Sequence, residues 1–179
     1  MKRIIYLLAI TILSHGLVGT ITDDTIEYTD EQREQFQKSR QIQTIVHKYK
    51  VGEEFATQVV ALSHKYSHPV FPKAADVLAI IGIESSFRPH VKSALKRDKA
   101  EGLTQIRPRV WRHMIKPGEL TLIENQVKYG SSILQQYHAK LGSVDSAVNA
   151  YNVGLTAHYR GKVNPRYVRK YTETKQIML

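Results

Sequence analysis

The chain has no cysteine, one tryptophan and only six prolines among its 179 residues. Without cysteine, it has neither disulfides nor a cysteine that could be lipid-modified after a signal peptide. It also lacks internal repeats, low-complexity tracts and alternating hydrophobic stretches, which excludes repeat architectures and more than a minor strand. Because 42% of the residues are apolar, the chain can bury one good core. These features predict a single, mainly α domain.

Acidic residues are scarce beside basic ones, 16 against 26, which gives a net charge of +10. Such a chain is attracted over long range to anionic polymers, such as cell wall, or to anionic lipid surfaces. Nucleic acid would be a competing partner, but no binding motif is present, so we predict none. A mild basic cluster near the C-terminus is interpreted as a solvated helix face and consists of Arg160, Lys162, Arg166, Arg169 and Lys170.

The longest mainly apolar stretch, Ile4 to Leu13, directly follows Lys2 and Arg3 and precedes several small residues. This order predicts a secretory signal peptide over residues 1–20. The stretch is shorter than the roughly 20 apolar residues of a membrane span. An uncleaved anchor is the alternative, and it would be the only membrane contact expected.

Hydrophobic spacing and capping residues predict helices along the rest of the chain. Thr29-Asp30-Glu31-Gln32 has the spacing of a capping box and opens a polar helix that ends near Tyr49. We expect this segment to pack on the domain as part of a group of N-terminal helices over residues 21–69. The other predicted helices run from Phe55 to about Tyr66, through Glu84 to a stop at Pro89, and over 108–115, 119–140, 143–152 and 165–174.

Glu84 follows an almost wholly apolar run, Val77 to Ile83, near the predicted end of a helix. Burial disfavours the carboxylate, and the negative end of the helix dipole acts in the same direction. We therefore predict a pKa above the ordinary value of about 4.3, which is what a general acid near neutral pH requires. The alternative is a carboxylate that ends the helix and points into water.

Three short motifs occur in order: Glu84-Ser85-Ser86-Phe87, Gly102-Leu103-Thr104-Gln105-Ile106 and Ala150-Tyr151-Asn152-Val153-Gly154. Together they resemble the lytic transglycosylases of the family-1 type, whose catalytic domain is lysozyme-like and carries Glu-Ser, Gly-Leu-Met-Gln and Ala-Tyr-Asn elements. The resemblance covers about residues 70 to 170. It implies a lysozyme-like catalytic domain, which we place at residues 70–174.

The resemblance also implies roles for individual residues. Glu84 would be the single acid/base, with Ser85 as its hydrogen-bonding neighbour. Asn164-Pro165-Arg166-Tyr167-Val168 is similar to the family's Thr-x-x-Tyr-Val element without its Thr, and it would bring Tyr167 to the site. Packing of Tyr167 and Tyr171 on one helix face is the alternative. The implied substrate-binding residues are Ser85, Gln105, Tyr151, Asn152 and Tyr167.

Members of this family cleave the β-1,4 bond between N-acetylmuramic acid and N-acetylglucosamine in peptidoglycan, leaving a 1,6-anhydro end. The resemblance therefore implies peptidoglycan strands as substrate and a periplasmic or secreted location. It also implies service to wall-crossing secretion, conjugation or phage machinery, for which residues 23–50 are a candidate docking segment. No cofactor is implied, and His64 and His68 lack an acidic partner for a metal site.

Two other functions remain open at this point. A lysozyme-type hydrolase would need a second carboxylate, and Asp98 or Glu101 could supply it, although both are interpreted as part of a solvated charged loop. A non-catalytic glycan-binding scaffold is the other. Two residues have roles left open: Thr104, in place of the family's Met, is expected to alter sugar packing, and Trp111 is expected to pack in the core rather than stack on a sugar.

Overall fold

The computed structural model describes residues 28–179. In this part of the chain the only extended pairings are isolated bridges between Lys92 and Glu101 and between Glu101 and Ile106. The prediction of a mainly α, lysozyme-like domain is therefore confirmed. Seven α-helices form the described part: α1 (Asp30–Tyr49), α2 (Glu53–Lys65), α3 (Ala74–Ser85), α4 (Ile123–Leu141), α5 (Val144–Val153), α6 (Leu155–Tyr159) and α7 (Pro165–Gln176).

The predicted signal peptide, residues 1–20, lies outside the described residues, and the domain boundaries at 20, 69 and 174 stay predictions. Within residues 28–179, no helix is both long enough and apolar enough to span a bilayer.

Helix α3 lies at the centre of the fold, because apolar side chains surround it. Ala79 and Ile80 belong to a core cluster shared with α4, α5 and α7. Val77, Leu78 and Ile81 belong to a second cluster shared with α1 and α2. Each fully buried aliphatic side chain contributes about 1.5–3 kcal/mol, so a helix that serves two clusters is held firmly. The position of Glu84 near its end is correspondingly well defined.

The predicted capping box at the start of α1 is present: Thr29 Oγ1 accepts from Gln32 N at 3.2 Å, and Gln32 Oε1 accepts from Thr29 N at 2.9 Å. The second half of α1 packs on the domain through Ile45, which is buried. The first half is largely exposed, and Phe36 is 65% exposed. The N-terminal segment is thus a packed helix in its second half.

Helix α3 ends earlier than the sequence predicts. We expected Pro89 to stop it, but Ser86 and Phe87 already adopt left-handed conformations with φ of 52° and 59°. The tight turn folds Phe87 back into the core, where its ring centroid lies 4.6 Å from that of Tyr49. Burial of this aromatic side chain compensates for the unfavourable backbone. The chain after Glu84 consequently turns away at once.

Two further helix predictions need correction, and one helix was not predicted. Residues 108–115 form separate turns, in which Val110 N and Trp111 N donate to Arg107 O, and Met114 N and Ile115 N donate to Trp111 O, without a consecutive helical series. The predicted helix over 119–140 begins as a 3₁₀ turn, Glu119–Thr121, and becomes α-helical only at Ile123. Helix α6, only five residues long, was not predicted, since it is too short for a hydrophobic period to be recognised.

Candidate active site

Glu84 is the second-to-last residue of α3, and its side chain is only partly exposed. Burial raises the pKa of its carboxyl above the ordinary value, against smaller lowering effects from a hydrogen bond with Tyr167 and from the charge of Lys170. The direction agrees with the prediction made from the apolar run. A carboxyl with a raised pKa retains its proton at a higher pH than an exposed one and can donate it.

The neighbour of Glu84 comes from α7, at the far end of the chain. Asn164 caps this helix by accepting from Tyr167 N at 3.2 Å, and Pro165 occupies its first turn. The hydroxyl of Tyr167 then donates to Glu84 Oε1 at 2.5 Å. Asn164 stands where the family pattern has Thr, and both residue types are good N-caps. The departure from the pattern therefore leaves the start of α7 intact.

A second contact fixes α7 against α3. Asp76 is 1% exposed and accepts from the hydroxyl of Tyr171. The same carboxylate accepts from Lys73 N at 2.7 Å and pairs with Lys175 Nζ at 2.8 Å. A buried carboxylate with three partners is well satisfied. Since Tyr171 lies one turn after Tyr167, this contact holds the turn that brings Tyr167 to Glu84.

Tyr151 lies in the last turn of α5. Its hydroxyl donates to the backbone oxygen of Thr104 at 2.7 Å. Burial, and next the negative charge of Glu84, raise its pKa well above the ordinary value. Tyr151 and Glu84 are therefore coupled electrostatically. The Ala-Tyr-Asn motif and the Gly-Leu-Thr-Gln motif are therefore joined directly.

Gln126 of α4 holds the loop from Gly102 to Gln105. Its Oε1 accepts from Leu103 N at 2.7 Å, and its Nε2 donates to Leu120 O at 2.7 Å and to Pro89 O at 3.1 Å. Gly102, with φ of +76°, packs so closely on this amide that a Cβ there would lie 2.4 Å from Gln126 Cδ. Only glycine fits at this position. The loop is therefore fixed to α4.

Thr104 points into the protein. It is 1% exposed, and its hydroxyl donates to Gln126 O at 2.8 Å. Its side chain packs on Gly130, where a Cβ would lie 2.6 Å from Thr104 Cγ2. The expectation that Thr104 alters sugar packing is therefore wrong for direct contact, because α4 covers the side chain.

Gln105 adopts a left-handed backbone conformation with φ of 49°. Its side-chain Nε2 donates to Gly102 O at 2.9 Å and to Val91 O at 3.0 Å. Strain of this kind costs about 1–3 kcal/mol and persists only where surrounding contacts hold it. Here the bonds within the loop hold the side chain at the wall of a cavity.

Asn152 is exposed, and its Oδ1 accepts from Asn164 Nδ2 at 2.8 Å. The same Asn164 caps α7, so the end of α5 and the start of α7 are connected through one side chain. Behind them, Asn149 is buried: its Oδ1 accepts from Asn164 N at 2.8 Å, and its Nδ2 donates to Lys162 O at 2.9 Å. Asn152 is oriented by this pair of asparagines.

Gln105, Tyr151 and Asn152 line one cavity of about 180 Å³. Glu84 is outside its walls, and Tyr151 connects the two parts of the site. Trp111 also lines the cavity while its ring packs on Tyr137 at a centroid distance of 5.7 Å. It therefore contacts the core, as expected, and also faces the cavity. A polar cavity with aromatic walls beside a proton donor can hold and cleave a sugar chain.

Ser85 is a predicted substrate-binding residue whose side chain is buried within the protein. It is 1% exposed, and its hydroxyl donates to Ile81 O at 3.1 Å within α3. In the described part of the chain it makes no side-chain hydrogen bond to Glu84. Ser85 was expected to be the hydrogen-bonding neighbour of Glu84, but Tyr167 makes that hydrogen bond.

The two acidic residues considered as a second carboxylate are engaged elsewhere. Asp98 pairs with Arg107 Nε at 3.1 Å and accepts from Arg109 N at 2.9 Å. Glu101 pairs with Lys92 Nζ at 3.3 Å. Among the described residues, the charge that shifts the pKa of Glu84 is that of Lys170. In the described part of the chain, Glu84 is the acidic residue whose charge acts on both Tyr151 and Tyr167.

Three further residues shape the site and were not predicted from the sequence: Asp76, Gln126 and Asn149. Asp76 interrupts an apolar run, as Glu84 does, and this signal was available in the sequence. Gln126 and Asn149 lie in helices of mixed polarity, where a polar residue is unremarkable. Their burial follows only from packing.

The family model for the transglycosylase SLT domain matches residues 72–173, more than half of the chain. The chain belongs to this family. Its members are peptidoglycan lytic transglycosylases, so this SLT-domain protein is an enzyme of that class, a lyase that acts on the glycan strands of peptidoglycan. No curated protein and no solved structure matches the chain. The matched region contains every candidate site residue, from Glu84 to Tyr167.

Proposed function

We propose that this lytic transglycosylase cleaves the β-1,4 bond between N-acetylmuramic acid and N-acetylglucosamine, with Glu84 as the only acid/base. The observation that carries the proposal is the environment of Glu84. Its carboxyl is largely buried, its pKa is raised, and its polar neighbour is the hydroxyl of Tyr167. A glycosidase with two carboxylates would place a second acidic group beside the first.

In the proposed reaction, protonated Glu84 gives its proton to the glycosidic oxygen as the bond from that oxygen to C1 of the muramic acid breaks. The acetamido carbonyl of the same sugar stabilises the positive charge that develops at C1. The C6 hydroxyl then attacks C1, and its proton returns to the Glu84 carboxylate. The C1–O6 bond closes the 1,6-anhydro ring, no water is consumed, and the acid is regenerated.

The neighbouring residues have separate roles in this proposal. The Tyr167 hydroxyl donates to Glu84 and stabilises the carboxylate formed after the first proton transfer. Tyr151 lines the adjacent cavity, and the charge of Glu84 contributes to its raised pKa. Gln105 and Asn152 present polar side chains to the adjacent cavity, where they would hydrogen-bond an acetamido or hydroxyl group. Ser85 supports the end of α3 from within.

The location and the process served belong to the same proposal. We place the enzyme in the periplasm or outside the cell, because its substrate is there and residues 1–20 have the pattern of a signal peptide. A wall-crossing machine would contact the exposed first half of α1. Substitution of Phe36, which is 65% exposed, by serine tests this contact: assembly of the machine should be impaired while cleavage of isolated peptidoglycan is unchanged.

The test of the reaction is mass spectrometry of soluble products after purified protein digests peptidoglycan, with Glu84→Gln as the matched variant. We expect 1,6-anhydro-muramic ends from the wild type and a loss of at least about a thousandfold in the variant. Reducing ends would contradict the proposal and favour a hydrolase. Unchanged activity of the variant would exclude Glu84 as the acid.

A further inference from the structure

A second groove opens directly beside the cavity that contains Gln105 and Asn152. It has a volume of about 510 Å³ and shares Val110, Tyr137, Val153 and Gly154 with the cavity. Gly154 lines both, and apart from its chain neighbours no heavy atom of the described residues lies within 4 Å of the position that a Cβ would take there. The space beside Gly154 is therefore open to a molecule that extends from the cavity into the groove.

The residues that line this groove are mostly apolar, with two basic residues among them. Val110 is 51% exposed, and Leu155 and Ala157 of α6 complete the apolar part. Arg160 and Lys162 supply the basic part of the lining. None of the groove-lining residues is acidic. The combination fits a ligand with small apolar groups and a free carboxylate.

The two cations are not used for stability in the described part of the chain. The ion pairs formed there involve neither Arg160 nor Lys162, and their side chains make no hydrogen bond. By contrast, Arg169, from the same basic cluster of the sequence, pairs with Glu173 at 3.8 Å. Two free cations on a short segment after α6 are available to a ligand.

We propose that this groove binds the peptide stem attached to the muramic acid of the strand being cleaved. The inference rests on the proposed function, which places the glycan in the adjacent cavity. A stem peptide begins on the sugar, carries alanine methyl groups and ends in free carboxylates. The methyl groups would contact Val110 and Leu155, and a carboxylate would pair with Arg160 and Lys162. The groove thereby makes the enzyme prefer strands that retain their stems.

The first test compares two substrates and three proteins. The substrates are glycan strands with stems and strands from which an amidase has removed them. The proteins are the wild type, Arg160→Ala/Lys162→Ala, and the control Arg40→Ala/Lys48→Ala, which removes two exposed cations of α1, a helix that contributes no residue to the groove. We expect kcat/KM on stem-bearing strands to fall about tenfold in the groove variant, as two ion pairs allow. On stripped strands it should change less than twofold, and the control variant should change neither value.

An equal loss on both substrates, or no loss on stem-bearing strands, would overturn the inference. The second test does not depend on cleavage: a free tetrapeptide stem is added to the isotopically labelled protein and followed by NMR. We expect shifts at the backbone amides of Gly154, Leu155 and Thr156, with weaker binding in the groove variant. Shifts elsewhere would reject the groove. Stem binding without anhydro products would support the groove and reject the proposed reaction.

Discussion

Tyr171 donates a hydrogen bond to Asp76 one helical turn beyond the contact between Tyr167 and Glu84. Helix α7 is thus joined to α3 at two levels, and at both a tyrosine hydroxyl meets a carboxyl. The contact between Tyr171 and Asp76 is buried and structural, because Asp76 also pairs with Lys175. The contact between Tyr167 and Glu84 lies at the candidate active site. On one face of α7, Tyr171 therefore stabilises the packing against α3, while Tyr167 contacts the proposed acid.

Tyr167→Phe removes the donor that stabilises the Glu84 carboxylate. We expect kcat to fall about tenfold, the value of one charge-assisted hydrogen bond. Because that bond lowers the pKa of Glu84, its loss raises this pKa further. The acid must be protonated to act, so kcat/KM falls as pH rises through the pKa, and the alkaline limb should move to higher pH. An unchanged limb in the pH profile of the variant would contradict this.

Lys170→Gln removes a cation whose charge lowers the pKa of Glu84. We expect the alkaline limb of kcat/KM to move to higher pH, but by less than in Tyr167→Phe, because Lys170 is exposed and screened by solvent. High salt should produce the same displacement in the wild type. Arg169→Gln is the matched control, since Arg169 pairs with Glu173; a comparable displacement in that variant would show a general charge effect.

Tyr171→Phe tests the supporting contact. We expect the free energy of unfolding in urea to fall by about 1–2 kcal/mol, because a buried hydrogen bond to Asp76 is lost. The carboxylate keeps Lys175 and the backbone of Lys73, so the fold should persist. The effect on kcat should be smaller than that of Tyr167→Phe. A larger loss of kcat in Tyr171→Phe than in Tyr167→Phe would contradict the structural role assigned to Tyr171.

Gly130→Ala tests the packing of the Gly102–Gln105 loop on α4. The new methyl group would approach Thr104 to 2.6 Å, which forces the loop outward and costs about 1–3 kcal/mol of stability. Since Thr104 O accepts from Tyr151, kcat should fall as well. Gly52→Ala, with open space around the added methyl, should change stability by less than about 1 kcal/mol. Equal effects of the two substitutions would refute the packing argument.

Helices with strong local signals were predictable. The capping box at Thr29 located the start of α1, and Pro165 and Gly142 located the start of α7 and the end of α4. The turn at Ser86 was not predictable, because a left-handed serine is tolerated only where burial of Phe87 compensates for it. Residues 108–115 were predicted as a helix but form separate turns, whose backbone hydrogen bonds do not run consecutively.

The sequence alone determined the helical class and the family of the domain. Within the candidate site, it also determined the presence of a carboxyl at the end of an apolar helix. Hydrophobic period and desolvation are local properties, so they can be deduced from neighbouring residues. The tertiary structure decided which group faces that carboxyl: Tyr167, 83 residues later, rather than the adjacent Ser85. It also turned Thr104 inward and fixed the loop through Gln126. Contacts of this kind depend on how distant helices pack, and no local pattern specifies that.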